Sequence, residues 1–139
     1  MATILLVEDA PDLGLYEAKL LEQEGHTVLR CSGGPTPFAA CPMLRDGSCP
    51  VADAADLIIF SCRLFGPLPH RTYRGTDLLR VYRDHPVYGR LPMLVVAVGA
   101  PDDVGGSGPI EEVAKFAAPW DVVGTVHQLL ERAKQPAGL

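Results

Sequence analysis

The chain alternates short runs of consecutive apolar residues with longer segments in which apolar residues recur every three or four positions. Residues 3–7 (TILLV) form the clearest run, and an unbroken apolar run of this length is typical of a strand buried on both faces of a sheet. Four further segments, each mostly apolar, are also predicted to be strands. They cover residues 26–31, 56–62, 92–99 and 113–117.

Three segments have the spacing of helices. Pro11 suits the first turn of a helix that ends at Gly25, a residue that commonly follows the last helical turn. A second helix is predicted over residues 76–85. Asp121 can cap a final helix that reaches about Lys134.

The order of these elements predicts the fold. Strands that alternate with helices pair in parallel through right-handed crossovers, and strands that are apolar throughout need helices on both faces of the sheet. We therefore predict a doubly wound α/β fold with five parallel strands in the flavodoxin-like order 2-1-3-4-5. Residues 1–134 are expected to form a single domain, followed by a tail at residues 135–139. Residues 32–55, rich in Cys, Pro and Gly, are expected to be a largely irregular insert between the second and third strands.

The composition narrows the possible functions. The 139 residues carry a formal net charge of −5, which argues against nucleic-acid binding through a basic face. No apolar run reaches the ~18 residues of a membrane span. The N-terminus enters a strand directly, without the basic and hydrophobic regions of a secretion signal. We therefore expect a cytoplasmic protein that contacts neither membrane nor nucleic acid directly and keeps its four cysteines reduced by default.

Polar residues stand at the ends of two predicted strands. Glu8 and Asp9 follow the first strand, and Ser61 lies at the end of the third. In doubly wound folds, ligands bind at the carboxyl ends of the strands where the strand order reverses, which here is between strands one and three. These three residues are therefore the first candidates for a functional site.

In the pattern and order of its segments, the chain resembles the receiver domain of bacterial response regulators. The segment ILLVEDAPDLGLYEAKLLEQEGHTV is similar to the family's first strand, acidic pair, first helix and second strand, and DLIIFSCRL is similar to its third strand. The family's third helix is similar to GTDLLRVYRD, and its fourth strand is similar to LPMLVVAV. The end of its strand five, with the Lys-Pro-aromatic step, is similar to FAAPWD. The resemblance covers nearly the whole chain and implies the fold predicted above.

The resemblance also implies a phosphorylation site that this chain has mostly lost. In the family, an acidic pair holds Mg²⁺, an aspartate at the end of strand three takes a phosphoryl group, and a Thr or Ser and a Lys contact the phosphate. The metal and the lysine neutralise charge that develops on the phosphoryl oxygens. Here the acidic pair is kept, but a serine replaces the acceptor and an alanine replaces the Lys. The Thr or Ser position falls on Ala97, or on Val98 if the register shifts by one. The positions of this degenerate pocket are Glu8, Asp9, Ser61, Ala97 and Ala118.

The chain is accordingly expected to be a pseudo-receiver, an atypical and non-enzymatic receiver that signals without phosphorylation. Its output is expected to pass to a protein partner in trans, or to a second copy bound through strand four, strand five and the last helix. Two carboxylates alone make a weak cation site. We therefore expect no cofactor, with Mg²⁺ held weakly by Glu8 and Asp9 as the exception.

The cysteines leave an alternative open. Cys41 and Cys49 lie inside the insert with seven residues between them, a spacing that can close a disulfide but is not that of a zinc knuckle. A redox pair at Cys41 and Cys49 would make the chain a redox- or metal-responsive sensor on a receiver fold. The same thiols can also be small buried groups that pack the insert.

Ser61 permits a third interpretation, a small hydrolase, because a serine attacks substrates when a neighbouring base takes its proton. No G-x-S-x-G elbow surrounds Ser61. None of the four histidines is expected beside it, although His70 stands on a nearby loop. The fold also permits flavin binding, but the acidic pair would repel the phosphate of a flavin.

Overall fold

The computed structural model describes residues 1–8, 11–31, 47, 49–61, 75–96, 106, 108–113 and 119–134. Five strands within this part of the chain pair in parallel in one sheet. The strands are β1 (Thr3–Glu8), β2 (Thr27–Cys31), β3 (Leu57–Ser61), β4 (Met93–Val96) and β5 (Ile110–Val113).

The strand order across the sheet is β2-β1-β3-β4-β5, which confirms the predicted order and the doubly wound fold. Because all strands run in one direction, the sheet has an amino edge, where the strands begin, and a carboxyl edge, where they end. The helices are α1 (Pro11–Gln23), between β1 and β2, α2 (Gly75–Asp84), between β3 and β4, and α3 (Pro119–Lys134), which follows β5. Two short 3₁₀ helices lie at Ala52–Ala54 and Tyr88–Arg90.

The central strands are apolar throughout because both faces of the sheet are covered. Ile4 and Leu6 of β1 pack on the face that carries α1 and α3, whereas Leu5 and Val7 pack on the opposite face. All four side chains are fully buried. Side chains alternate between the two faces of a strand, so an unbroken apolar run is what burial on both faces requires.

The face opposite α1 and α3 is covered by α2 and by the end of the predicted insert. Leu79 and Tyr82 of α2 share one core cluster with Cys49, Ala52 and Ala55. The described end of the insert packs on the sheet and includes the 3₁₀ helix Ala52–Ala54. Residues 32–46 lie outside the described part of the chain.

The last strand begins three residues earlier than predicted, at Ile110 rather than at the apolar run over residues 113–117. The strand contains two adjacent glutamates, Glu111 and Glu112, so it has too few apolar residues for the sequence pattern to predict it. The strand lies at the edge of the sheet, where a charged side chain can stay in water. Glu111 does so, and its Oε1 accepts a hydrogen bond from Nη1 of Arg132 at 2.6 Å. Residues 114–117 lie outside the described residues.

The final helix begins at Pro119, two residues before the predicted cap at Asp121. Proline has no N–H to leave unpaired and its fixed φ suits the first helical turn. Asp121 is therefore inside the helix, and its carbonyl oxygen accepts a hydrogen bond from the Thr125 hydroxyl at 2.8 Å. The first helix ends as predicted, since Gly25 has a φ of 93° and its N–H donates to the carbonyl of Glu22 at 3.0 Å.

Arg83 fastens the segments that lead into β4 and β5 at the amino edge. Its buried guanidinium donates to the carbonyl of Gly108 at 2.9 Å and to that of Leu91 at 3.5 Å. Burial lowers the pKa of Arg83 from its usual value. Gly106, with a φ of 77°, lies against this side chain, and a Cβ there would stand 2.7 Å from the guanidinium carbon. The close approach explains a glycine at this position.

Candidate functional site at the carboxyl edge

The two central strands bring the candidate site residues together. β1 and β3 are neighbours, and Glu8 at the end of β1 pairs in register with Ser61 at the end of β3. β2 lies beyond β1 and β4 lies beyond β3, so the strand order reverses between these two strands. The crevice at such a reversal is the usual ligand site of this type of sheet.

Ser61 closes a strand that is otherwise wholly apolar. Residues 57–61 (LIIFS) are all buried, and Ser61 is 7% exposed. Four apolar side chains hold the strand in the core, which leaves the hydroxyl at the end of the strand, at the carboxyl edge. A serine hydroxyl is neutral at physiological pH, so by itself it is neither a negatively charged metal ligand nor an anionic nucleophile.

The other predicted pocket positions fall beyond the described residues. Asp9, Ala97 and Ala118 are among them, and of Glu8 the structure describes the backbone in β1. Ala97 directly follows Val96, the last described and fully packed residue of β4. The composition of the degenerate pocket, and a weak cation site at Glu8 and Asp9, therefore stay predictions.

Three of the four histidines lie away from Ser61, at the amino edge. Nε2 of His26 and Nε2 of His127 are 3.1 Å apart. Nδ1 of His85 accepts hydrogen bonds from the backbone N–H groups of Val87 and Tyr88, both at 3.1 Å. His70 lies outside the described residues. Among the histidines that the structure describes, none is placed to act as a base for Ser61.

Cys49 of the proposed redox pair is buried, and its sulfur is not in a disulfide. Its backbone is held by the hydroxyl of Tyr88, which accepts from the Cys49 N–H at 3.1 Å and lies 2.9 Å from the Cys49 carbonyl oxygen. The same hydroxyl also contacts Oδ1 of Asp53. Burial, and then the hydrogen bond to Asp53, raise the pKa of Tyr88 above its usual value. Cys41 lies outside the described residues, so the Cys41–Cys49 pair stays a prediction.

The structure also shows polar clusters that the sequence did not reveal. The contact between His26 and His127 joins residues 101 positions apart, and the contact between Tyr88 and Cys49 joins residues 39 positions apart. Neither pair forms a local motif, so the sequence carried no signal for it.

The described residues contain neither a candidate metal cluster nor a candidate membrane-spanning helix. No group of three or more His, Cys, Asp or Glu side chains there is arranged to hold a metal ion. Within the same part of the chain, no helix is long and apolar enough to cross a membrane.

Comparisons with known proteins agree with the geometry of the sheet. No protein-family model matches the chain, and no curated protein matches it in sequence. Several solved structures match it in three dimensions. The signal receiver domain of a signal transduction histidine kinase from Syntrophus aciditrophicus is 17% identical, with a TM-score of 0.66 over 100% of this chain and 97% of that one.

Two further structures illustrate the range of these matches. A two-component response regulator from Clostridium difficile is 15% identical, with a TM-score of 0.65 over 97% of this chain and all (100%) of the other. NtrX from Brucella abortus is 19% identical, with a TM-score of 0.62 over 96% of this chain and 28% of NtrX. At these identities the likeness is one of fold. The chain therefore has the fold of response-regulator receiver domains.

Proposed function

We propose that the chain is an atypical response-regulator receiver, a pseudo-receiver, that acts in cytoplasmic signal transduction by binding another protein and not by carrying a phosphoryl group. The observation that carries the proposal is the buried Ser61 at the end of β3, in register with Glu8. By the family resemblance of the sequence, Ser61 corresponds to the aspartate that accepts the phosphoryl group in receivers.

The chemistry of phosphoryl transfer supports this proposal. An aspartate is ionised at neutral pH and can attack phosphorus directly, whereas a serine hydroxyl needs a base to remove its proton. The described histidines are engaged at the amino edge. The alanines at positions 97 and 118 carry no group that can stabilise charge on the phosphoryl oxygens.

A receiver without its phosphoryl input needs another signal, and a protein partner is the simplest source. The face made by β4, β5 and α3 offers a surface for it. Trp120 at the start of α3 is 72% exposed, and β5 is the edge strand. Exposed tryptophans often anchor protein interfaces. The ion pair between Glu111 and Arg132 puts charge along the β5 edge, which disfavours edge-to-edge strand pairing and favours contacts through side chains of α3.

Intact-mass spectrometry after incubation with acetyl phosphate and Mg²⁺ tests the loss of phosphorylation. We expect no phosphoryl adduct on the wild-type chain under conditions that label an ordinary receiver. Ser61→Asp restores the acceptor, and the double variant Ser61→Asp with Ala118→Lys also restores the cation. Labelling should therefore rise from the wild type to the single and then to the double variant. Stoichiometric labelling of the wild type would contradict the proposal.

The alternative, a redox-responsive sensor, has one observation in its favour. The backbone N–H and carbonyl of Cys49 are both held by Tyr88, so a chemical change at Cys49 would disturb the 3₁₀ helix at Tyr88–Arg90 that leads into β4. The denatured mass of unreduced protein tests it. A mass two hydrogens lower than that of the reduced chain, lost in Cys49→Ser and in Cys41→Ser, would favour the sensor. An unchanged mass would favour the pseudo-receiver.

A further inference from the structure

Two histidines join three segments at the amino edge, opposite the candidate functional site. Nε2 of His26 lies 3.1 Å from Nε2 of His127, which is a hydrogen-bond distance. Nδ1 of His26 accepts a hydrogen bond from the backbone N–H of Ala2 at 3.1 Å. The pair therefore links the residue before β1, the residue before β2 and the middle of α3.

The Ala2 contact fixes the positions of the protons in the pair. A backbone N–H can only donate, so Nδ1 of His26 must carry a lone pair, and the proton of the neutral ring is on Nε2. That Nε2–H faces His127, whose Nε2 must then be the acceptor and whose own proton is on Nδ1. When both rings are neutral, each has one nitrogen lone pair, on Nδ1 of His26 and on Nε2 of His127, and both lone pairs accept a hydrogen bond.

An additional proton cannot enter the pair without breaking one of these hydrogen bonds. On Nδ1 of His26 it would face the N–H of Ala2, so two donors would point at each other. On Nε2 of His127 it would face the Nε2–H of His26 in the same way. Each of these contacts joins different segments, so either protonation removes one link between them, while the backbone N–H of Thr27 still donates to the carbonyl of Ala2 at 2.9 Å.

Charged groups of several elements surround the pair. Together they line one cavity of about 520 Å³. The acidic groups favour proton uptake, and the basic groups oppose it. These groups are the amino group of Met1, Glu24 after α1, Asp56 before β3, and Glu131 and Lys134 on α3.

The local environment favours the neutral ring of His26. Burial, then the charge of His127 and the N-terminal amine, lower the pKa of His26 from its usual 6.5, and Glu24 opposes this change. Since the folded pKa is below the unfolded one, the unfolded chain binds more protons as the pH falls. The stability that this group contributes is therefore complete above pH 6.5 and decreases as the pH falls from there towards the folded pKa.

We propose that His26 and His127 form a proton-sensitive clasp that holds the starts of β1 and β2 against α3 while both rings are neutral, and that opens when the pair takes up a proton. Mild acidification is then an input that reaches α3 from the amino edge, without using the carboxyl edge. The clasp depends on the geometry of the pair and is independent of the function proposed above.

Two substitutions each replace one ring of the pair by an amide, which keeps an acceptor at that position and does not titrate. In His26→Asn the side-chain oxygen can replace Nδ1 opposite Ala2, and in His127→Gln it can replace Nε2 opposite His26. Urea unfolding is followed from about pH 8 to about pH 5.5, the range in which histidines titrate. The wild-type midpoint should fall with pH, and its unfolding constant should rise by up to about tenfold per unit of pKa difference between the unfolded and folded chains. In His26→Asn this change should be much smaller, because the buried ring is gone, whereas His127→Gln keeps the burial of His26 and should retain part of the change.

Gln128→Ala, an exposed change beside His127, is the matched control and should follow the wild type. The ring ¹⁵N shifts of the wild type give a second readout that does not depend on the variants folding. They should show a proton on Nε2 of His26 and on Nδ1 of His127 at about pH 8. A proton on Nδ1 of His26 at that pH, or an equal loss of stability in wild type and His26→Asn, would overturn the clasp.

Discussion

Removal of one hydroxyl, by the substitution Tyr88→Phe, tests how the end of the insert is held on the sheet. The hydroxyl accepts the N–H of Cys49 and donates its single proton either to the Cys49 carbonyl or to Asp53. The phenylalanine ring keeps the stacking on His85, at a centroid distance of 3.8 Å, and the contact with Tyr82 at 6.1 Å. The substitution therefore removes hydrogen bonds and leaves the packing in place.

The cost follows from the burial of the groups left behind. Cys49 is 6% exposed, so its N–H has no access to water once the hydroxyl is gone. A buried, unsatisfied polar group costs about 1–3 kcal/mol. Asp53 is exposed and can be hydrated, so its lost contact adds little. We expect a decrease of about 2 kcal/mol in the free energy of unfolding.

Urea unfolding followed by circular dichroism measures this decrease. With a slope of about 1–3 kcal/mol per molar urea, the midpoint should fall by about 1 M. Tyr16→Phe, at an exposed tyrosine of α1, is the control and should leave the midpoint unchanged. Asp53→Ala should cost much less than Tyr88→Phe. A midpoint for Tyr88→Phe within about 0.2 M of wild type would refute the view that this hydroxyl holds Cys49 in place.

The titration of the same hydroxyl gives a related expectation. The pKa of Tyr88 is raised in the folded chain, so the folded state holds this proton more tightly than the unfolded state does. The stabilisation is therefore complete below pH 10, the ordinary tyrosine value, and is lost as the pH rises through the folded pKa. Wild type should lose stability above that pH more steeply than Tyr88→Phe, as measured by urea midpoints at alkaline pH.

The remaining predictions concern three other positions and one surface. Gly106→Ala should lower the melting temperature, because the positive φ of Gly106 and its contact with Arg83 leave no room for a Cβ. Gly124→Ala, in the exposed middle of α3, should raise the free energy of unfolding by about 0.5–1 kcal/mol, because alanine favours a helix more than glycine does. Arg83→Lys should cost about 1–3 kcal/mol in urea unfolding, because an ammonium group cannot reproduce the guanidinium contacts with two carbonyl groups. Trp120→Ala should weaken partner binding or self-association in sedimentation experiments without a change in the urea midpoint, and an unchanged association would place the interface elsewhere.

The sequence predicts the centre of this fold better than its periphery. The strands that contain TILLV and LIIF are covered on both faces of the sheet, so their apolar runs are long and unambiguous. The same reasoning misplaces β5, because an edge strand needs only partial burial and Glu111 can remain in water. The start of α3 also differs from its predicted position, because Pro119 and Asp121 are both residues that favour the start of a helix.

The candidate site shows the same division. The positions of Glu8 and Ser61 follow from the ends of two well-predicted strands, and the structure places these residues in register. The contacts of His26 and Tyr88 cannot be predicted in this way, because each depends on how distant segments pack at the amino edge. Contacts between residues so far apart in the sequence can be identified only once the fold is known.

The exposure of Trp120 has a practical consequence. The sequence contains one tryptophan, so the indole fluorescence of the chain comes from a single site at the start of α3. Because that side chain is 72% exposed, its emission in the unbound chain reports an aqueous environment. A partner that covers this end of α3 will move the emission to shorter wavelength, whereas a partner that binds at β2 will leave it unchanged. The chain thus carries an intrinsic optical probe that can locate a binding partner without any label.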